Sequence, residues 1–299
     1  MAAKAVQMAK NNLSGIVVKG VGGVFDVMTN NGKFVCFSPK KLRYNQQDIL
    51  VGDKVTFERL HGNKGNIIDI LPRQNRMLRP EVANVDVCFI VIAPEPQPDF
   101  YLVDKVMVNC FVQHIEPMIV LNKTDLASDL KERVWQNYKD DCLIVETSAE
   151  KGDVAQLLPL ILDKVCFFAG QSAVGKTSLL NALSPTLGEK IGGLSQKSGR
   201  GTHTTRHASL HAVAGGYVVD TCGFSLCDIA EDVRSDELRL YIDDFVTMSQ
   251  GCKFSSCTHT VEPDCAVKVA VNNGQLCKER YERYLEEYNE LVQAEKNKY

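Results

Sequence analysis

The stretch from Lys164 to Leu180 constrains this chain most strongly, because an apolar run leads through a glycine-rich turn into a run of good helix formers. Gly170, Gly175, Lys176 and Thr177 follow the spacing of a phosphate-binding loop. Glycines at these positions let the backbone turn tightly, so that successive amide N–H groups face phosphate oxygens at a helix N-terminus. The alternative is a glycine-rich turn with an exposed lysine. We assign phosphate binding to the whole loop: Gly170, Gln171, Ser172, Ala173, Val174, Gly175, Lys176 and Thr177.

The tetrapeptide NKTD at residues 122–125 indicates which nucleotide such a loop would bind. A carboxylate at Asp125 can accept hydrogen bonds from both N1–H and the exocyclic amine of guanine, a pair of donors that adenine does not offer. A strand-end turn with a capping side chain is the alternative reading. Ser148 and Ala149 end the next predicted strand and would support the base through backbone N–H groups. The residues assigned to guanine are therefore Asn122, Lys123, Asp125, Ser148 and Ala149.

A second group of residues would hold Mg²⁺ and the γ-phosphate. The Thr177 hydroxyl is one expected Mg²⁺ ligand. Asp220 closes a predicted hairpin over residues 208–223, where a carboxylate would orient Mg²⁺-bound water. The backbone N–H of Gly223 would bind the γ-phosphate. The sequence thus predicts bound Mg²⁺ as well as GTP or GDP.

The segment GTHTT at residues 201–205 has the composition of a switch loop. We favour Thr205 as the residue that completes the Mg²⁺ shell, with Thr204 as the alternative. Phe224 stands where signalling GTPases place a water-orienting glutamine, and an apolar side chain cannot do this. The attacking water would then be positioned by His203, the expected catalytic residue, or by a partner acting in trans. An exposed loop histidine is the alternative reading of His203.

The order of these segments differs from that of the usual small GTPase, in which the phosphate loop comes first. Here the guanine segments precede the phosphate loop, and the switch segments follow it. We therefore predict a circular permutation, which leaves the pocket able to form because strand neighbours need not change. The loop after Asp220 then leads directly into the C-terminal part, and a change on hydrolysis could be passed to it.

A cysteine-rich segment gathers three thiols and one imidazole within fourteen residues. Such a set closes a tetrahedral Zn²⁺ site without an open position, which is typical of structural zinc. Chance clustering of cysteines is the alternative. The predicted zinc ligands are Cys252, Cys257, His259 and Cys265.

The remaining pattern divides the chain into three parts. Short alternating runs from Leu13 to Leu71 predict a small β-barrel of the OB type, a frequent nucleic-acid binder. Residues 73–84 have the composition of a basic linker, and continuous apolar strands then alternate with amphipathic helices, as in a parallel sheet covered on both faces. Helices are predicted near residues 100–112, 130–138, 154–162 and 275–296. The predicted domains are an OB-fold domain (1–72), a permuted α/β GTPase domain (73–233) and a mainly helical zinc-binding domain (234–299).

Charge supports a polyanionic partner for the barrel. Residues 1–80 carry thirteen Lys or Arg against five Asp or Glu, although the net charge of the chain is −3. A merely solvated basic face is the alternative. Phe25, Phe34 and Phe37 would form either a base-stacking platform or, as we favour, part of the core.

Other classes of protein are disfavoured by composition. No apolar run reaches the roughly 18 residues of a membrane span, and the first residues lack the apolar core of a signal peptide. Eleven cysteines, mostly single within apolar runs, indicate reduced thiols. We expect a cytoplasmic monomer that does not bind membranes.

Six segments in this order resemble the ribosome small subunit-dependent GTPase A family of bacteria. They are NKTD (122–125), TSA (147–149), GQSAVGKTSLLNAL (170–183), GRGTHTTR (199–206), DTCGF (220–224) and CKFSSCTHTVEPDCAV (252–267). The resemblance covers about residues 13–296. It implies GTP hydrolysis stimulated by the 30S subunit, contact with 16S rRNA near the decoding region, and a role late in subunit assembly.

The resemblance also bears on single residues. It implies a catalytic role for the switch-loop histidine, which corresponds to His203. Cys222 replaces the proline usual in the DTPGF segment, and Lys105 stands where arginine is common. A GTP-regulated RNA-binding module with a partner other than the ribosome is the alternative function. A plain P-loop ATPase is disfavoured by NKTD.

Overall fold

The computed structural model describes residues 12–38, 48–78, 81–184, 208–219 and 233–297. Within them the chain forms two compact units. One contains the residues up to 87, residues 157–167 and the hairpin at 208–219; the other contains residues 88–156, 168–182 and everything from 233 onward. Among the described residues, no helix is both long and apolar enough to cross a membrane.

Five strands near the N-terminus close into a barrel in the order β1-β2-β3-β5-β4, which confirms the predicted OB-like barrel. Phe25 and Phe34 lie in its core, whereas Phe37 is 38% exposed. Gly65 faces the same core, where an added Cβ would come within 2.4 Å of the Phe57 ring. The strands are β1 (Asn12–Val21), β2 (Val24–Thr29), β3 (Gly32–Phe37), β4 (Lys54–Arg59) and β5 (Lys64–Ile70).

The prediction of a linker at residues 73–84 is wrong. This stretch forms an antiparallel ribbon of β6 (Arg76–Leu78) and β7 (Glu81–Ala83). Before it, Arg73 binds the fully buried carboxylate of Asp53 through Nε–Oδ1 (2.7 Å) and Nη2–Oδ2 (2.8 Å). A buried carboxylate needs such a partner, so one of the three arginines that suggested a linker, Arg73, belongs to a fixed ion pair.

A six-stranded sheet has the order β10-β9-β8-β11-β13-β12. Strands β9 and β10 pair in parallel, as do β11 and β13, while β12 and β13 form the predicted hairpin. Every residue of β8 and β11 is buried, which confirms the prediction of a covered, mostly parallel sheet. The strands are β8 (Val87–Ile92), β9 (Glu116–Leu121), β10 (Leu143–Glu146), β11 (Val165–Ala169), β12 (Leu210–Val213) and β13 (Gly216–Val219).

Helices follow the sheet strands as the apolar periodicity predicts. α1 (Phe100–Val112) and α2 (Leu130–Tyr138) have the predicted bounds. The Asp99 side chain starts α1 by accepting a hydrogen bond from the Leu102 amide at 3.0 Å. The helix predicted over 154–162 is shorter: a 3₁₀ turn at Ala155–Leu157 leads into the single turn α3 (Leu158–Ile161). Helix α4 (Lys176–Leu183) follows the phosphate loop.

The C-terminal part is helical, as predicted. Its core gathers Leu238, Phe245, Val267 and Tyr284 with two of the cysteines of the metal-binding segment. Three helices surround this core: α5 (Asp243–Ser249), α6 (Ala266–Asn272) and the long α7 (Lys278–Asn297).

Candidate nucleotide site and metal centre

The phosphate loop has the backbone geometry that its glycines require. Gly170 and Gly175 have φ values of +127° and +101°, and Ala173 has φ +67°. At Gly170 an added Cβ would lie 2.3 Å from the carbonyl oxygen of Val91, so only glycine fits. Lys176 Nζ donates to the carbonyl oxygens of Gly170, at 2.7 Å, and Gln171. Burial lowers the pKa of Lys176 from its ordinary value.

Asn122 joins segments that lie far apart in the sequence. Its buried side chain donates through Nδ2 to the Val174 carbonyl at 2.9 Å. Its Oδ1 accepts from the Ala149 amide and the Thr147 hydroxyl, both at 3.2 Å. An added Cβ at Gly175 would lie 2.3 Å from Asn122 Nδ2. The two predicted guanine segments and the phosphate loop therefore meet at one side chain.

Lys123 adds a second connection. Its Nζ donates to the carbonyl oxygens of Glu95, at 2.7 Å, and Ala173, at 2.9 Å. Lys123 itself has φ +60°, an uncommon conformation for a residue with a side chain. The aliphatic part of the side chain therefore spans the gap between the end of β9 and the phosphate loop.

Asp125 is exposed and accepts a hydrogen bond from the Ser148 hydroxyl at 2.5 Å. This bond, together with a backbone N–H, lowers the pKa of Asp125. The carboxyl group is therefore ionised at neutral pH, in the form that accepts hydrogen bonds from a base. Ser148 is in turn fixed by backbone pairing with Asp153.

Four predicted site residues lie outside the described parts of the chain, so their roles stay predictions. They are His203, Thr205, Asp220 and Gly223. Thr177 is described and exposed in the first turn of α4.

The four predicted zinc ligands come together in the C-terminal part, with all ligand atoms within 4.8 Å of one another. Nδ1 of His259 lies 3.4 Å from Cys265 Sγ and 3.7 Å from Cys252 Sγ, and these two sulfurs are 3.9 Å apart. Ligands about 2.3 Å from a shared ion lie roughly 3.8 Å apart in a tetrahedron, so the donor set fits zinc. Burial lowers the pKa of His259 to about 4, which keeps its imidazole in the neutral, metal-binding form.

The loop that carries His259 is held from several sides. Glu262 accepts from the amides of Thr258, at 2.6 Å, and Thr260, at 3.0 Å. Tyr281 on α7 donates to the His259 carbonyl at 2.6 Å. His259 has φ +62°, and these contacts hold it there.

Sequence reasoning missed a buried ionic network between α7 and the first two helices. Arg280 is 5% exposed and binds the Asp141 carboxylate and the Asn137 carbonyl. Arg283 binds Asp104, which also accepts from the Tyr138 hydroxyl at 2.8 Å. Charged residues on a long terminal helix are usually solvated, so nothing in the pattern distinguished these two arginines.

Comparison with known proteins agrees with this geometry. The RsgA GTPase family model matches residues 70–230, and the RsgA N-terminal domain model matches residues 14–67. The chain belongs to the RsgA GTPase family. Membership makes it a GTPase, and it confirms the resemblance inferred from the ordered motifs.

Curated RsgA proteins align along nearly the whole chain. A relative from Caldanaerobacter subterraneus subsp. tengcongensis is 38% identical over 292 residues, which cover 96% of this chain and 98% of the relative. A relative from Geobacillus sp. is 39% identical over 284 residues, covering 93% and 97%. Both are named small ribosomal subunit biogenesis GTPase RsgA.

Two solved structures share the fold of this RsgA family member. YjeQ from Thermotoga maritima superposes with a TM-score of 0.82 at 34% identity, covering 94% of this chain and 99% of that one. YloQ, described as a circularly permuted GTPase, gives a TM-score of 0.80 at 29% identity, covering 94% and 96%. The predicted fold class, including the permuted motif order, is thereby confirmed.

Proposed function

We propose that this GTPase acts in the biogenesis of the small ribosomal subunit, that it binds 16S rRNA, and that the 30S subunit stimulates its hydrolysis of GTP. The observation that carries the proposal is the meeting of the guanine segments and the phosphate loop at Asn122. Support for the ribosomal part comes from the names of relatives that align over almost their entire length. Such a role belongs in the cytoplasm, and we propose that the protein works there as a monomer.

We assign nucleotide binding to the residues whose geometry suits it. The loop from Gly170 to Thr177 would bind the α- and β-phosphates through its amide groups, with Lys176 moving from the loop carbonyls to the phosphate oxygens. Asp125 would accept from the two guanine donors, and the Lys123 stem would pack on the base. Ser148 would keep the Asp125 carboxylate ionised and oriented.

Hydrolysis would require the segments after the phosphate loop. Mg²⁺, which neutralises charge developing on the phosphates, would be held by Thr177, by Asp220 and by Thr205 or Thr204. His203 would position the attacking water, and the Gly223 amide would bind the γ-phosphate. Because Phe224 offers no hydrogen bond to water, we expect slow turnover until a partner orders this region.

Zinc would have a structural role. Cys252, Cys257, His259 and Cys265 would complete its tetrahedron and leave no position open for a substrate. The ion would therefore stabilise the C-terminal part. We assign rRNA binding to the N-terminal part of the chain, residues 1–80, whose excess of Lys and Arg suits a polyanion that binds through its phosphates.

GTP hydrolysis measured alone and with purified 30S, 50S and 70S particles tests the proposal. We expect a slow basal rate, a large increase with 30S subunits and little increase with 50S subunits. A matched Asp220→Asn variant should show no increase with any particle, because a carboxylate assigned to Mg²⁺ is lost. Equal rates with all particles would instead favour a GTP-regulated RNA-binding protein with a partner other than the ribosome.

A further inference from the structure

We propose that the side chain of Gln171 is a positioning residue that fixes the phosphate loop for binding. It does so by pairing with the backbone of residues 94–99, which we call the proline strap. The inference rests on the proposed assignment of Gly170–Thr177 to phosphate. It adds a role for a side chain at a position where the loop spacing accepts any residue.

The contact uses both ends of the side-chain amide. Nε2 of Gln171 donates to the Gln97 carbonyl at 3.2 Å, and Oε1 accepts from the Asp99 amide at 3.1 Å. A primary amide offers one acceptor and two donors, so this pairing occupies both of its functional atoms. Two bonds from a single planar group fix its orientation as well as its position.

The proline strap is a rigid segment, which makes it suited to hold the Gln171 side chain. Pro94, Pro96 and Pro98 restrict its backbone torsions, and its last residue, Asp99, caps α1 through Leu102. Lys123 Nζ binds the Glu95 carbonyl in the same segment. One rigid segment therefore contacts both the guanine motif and the phosphate loop.

The position of Gln171 within the loop explains why this contact matters. Gly170 lies tightly against the carbonyl of Val91, and the carbonyls of Ala173 and Val174 are held by Lys123 and Asn122, so the loop is fixed on both sides of Gln171 and Ser172. Gln171 anchors the peptide units between them, and the carbonyl of Gln171 also accepts from Lys176 Nζ. Without the hydrogen bonds of the Gln171 side chain these peptide units can rotate. Phosphate binding is then weakened by the entropy that is lost when the peptide units become ordered.

The proposal predicts weaker nucleotide binding without a change in base discrimination. Loss of the Gln171 amide should weaken GDP and GTP binding by about tenfold, because two neutral hydrogen bonds that order the loop are absent. Discrimination between bases should not change, since Asp125 and Ser148 lie outside the contact. Hydrogen exchange at the Asp99 amide should accelerate, because its acceptor has gone.

The test compares the full-length variants Gln171→Met, which keeps length and volume, and Gln171→Ala with the control Gln136→Ala on the exposed face of α2. Calorimetric titration with GDP and with IDP gives affinity and base discrimination, thermal unfolding gives stability, and hydrogen exchange reports on Asp99. We expect both Gln171 variants to melt near the control, to bind GDP about tenfold more weakly, and to keep the wild-type ratio of GDP to IDP affinity.

Several results would overturn the inference. They are unchanged GDP affinity in both Gln171 variants, an altered GDP to IDP ratio, or unchanged exchange at Asp99. If the wild-type protein does not bind GDP, the proposed nucleotide site itself fails, which is a different outcome. A lower melting temperature with normal GDP affinity would assign Gln171 to stability alone.

Discussion

Asn122 illustrates how one residue can connect a site made from distant segments. The sequence identifies it as part of a guanine motif, yet in the structure its hydrogen bonds go to Val174, Thr147 and Ala149. The side chain is fully buried, so each of these bonds also satisfies a group that water cannot reach. We therefore propose that base recognition falls to Asp125, which is exposed.

The change Asp125→Asn tests this division of roles. An amide nitrogen cannot accept from the two guanine donors, but it can donate to the additional oxygen of xanthine. We expect GTP affinity to fall by a factor on the order of 10³ and XTP to become the better substrate, because a site built to pair with both guanine donors rejects a base that it cannot pair with. Hydrolysis rates measured with GTP and with XTP test the expected change of substrate preference. The control Asp129→Asn alters an exposed carboxylate that makes no capping bond, and it should keep the preference for GTP. If the Asp125 variant also kept the preference for GTP, the assignment of Asp125 to guanine would be contradicted.

Arg280 gives a prediction for stability. Its guanidinium is buried against Asp141, so Arg280→Met leaves that carboxylate without its partner. We expect unfolding by urea to show a loss of about 3–5 kcal/mol. The control Lys278→Met lies in an exposed pair with Glu282 and should cost less than about 1 kcal/mol. A loss at Arg280 as small as that at Lys278 would show that the buried network does not stabilise α7.

At the scale of whole elements, sequence periodicity predicted what depends on local pattern. The barrel strands, the hairpin at β12 and β13, and helices α1 and α2 all follow from alternation or from a 3.6-residue repeat. The ribbon at residues 73–84 was not predicted, because its strands have only three residues each and are too short to show a clear alternation. The helix before Leu162 is shorter than the periodicity predicts because Pro159, in its first turn, lacks an N–H and does not fit inside a longer helix.

The ribbon yields a prediction of its own. Gly52 has φ +89°, and an added Cβ would lie 2.0 Å from the carbonyl oxygen of Ala83 in β7. We expect Gly52→Ala to lower the free energy of unfolding by about 3 kcal/mol, as measured in urea, because both backbone strain and a clash result. Gly22→Ala, with φ +61° and open space around it, should cost only about 1 kcal/mol. Equal losses of unfolding free energy in the two variants would mean that the Ala83 carbonyl oxygen does not exclude a side chain at Gly52.

The loop with the four proposed zinc ligands gives a prediction for the C-terminal part. Cys257 and Cys265 belong to the C-terminal core, so a variant that cannot hold zinc there should lose order in that core and leave the barrel folded. We expect Cys257→Ala to lose zinc, measured by metal analysis, and to lose hydrogen-exchange protection in α6 and α7 while β1 to β5 keep theirs. The control Cys110→Ala removes a buried thiol outside the cluster and should retain one zinc per chain. Full zinc content in the Cys257 variant would refute the ligand set.

At the scale of the whole molecule, the permuted order could be recognised from the sequence because each motif keeps its own spacing. What the sequence could not give is the set of side chains that hold the motifs together, since Asn122, Lys123 and Gln171 form bonds with residues about 50 to 75 positions away. Such contacts depend on the fold as a whole. The order of the loops along the chain is therefore less important than the strands that position them.

The central claim is that these permuted segments form one pocket selective for guanine nucleotides, and calorimetric titration of the full-length protein with GDP and ADP tests it most directly. The account predicts one site per chain, with GDP bound at least about a hundredfold more tightly than ADP. Equal affinity for GDP and ADP, or no binding of either, would contradict it.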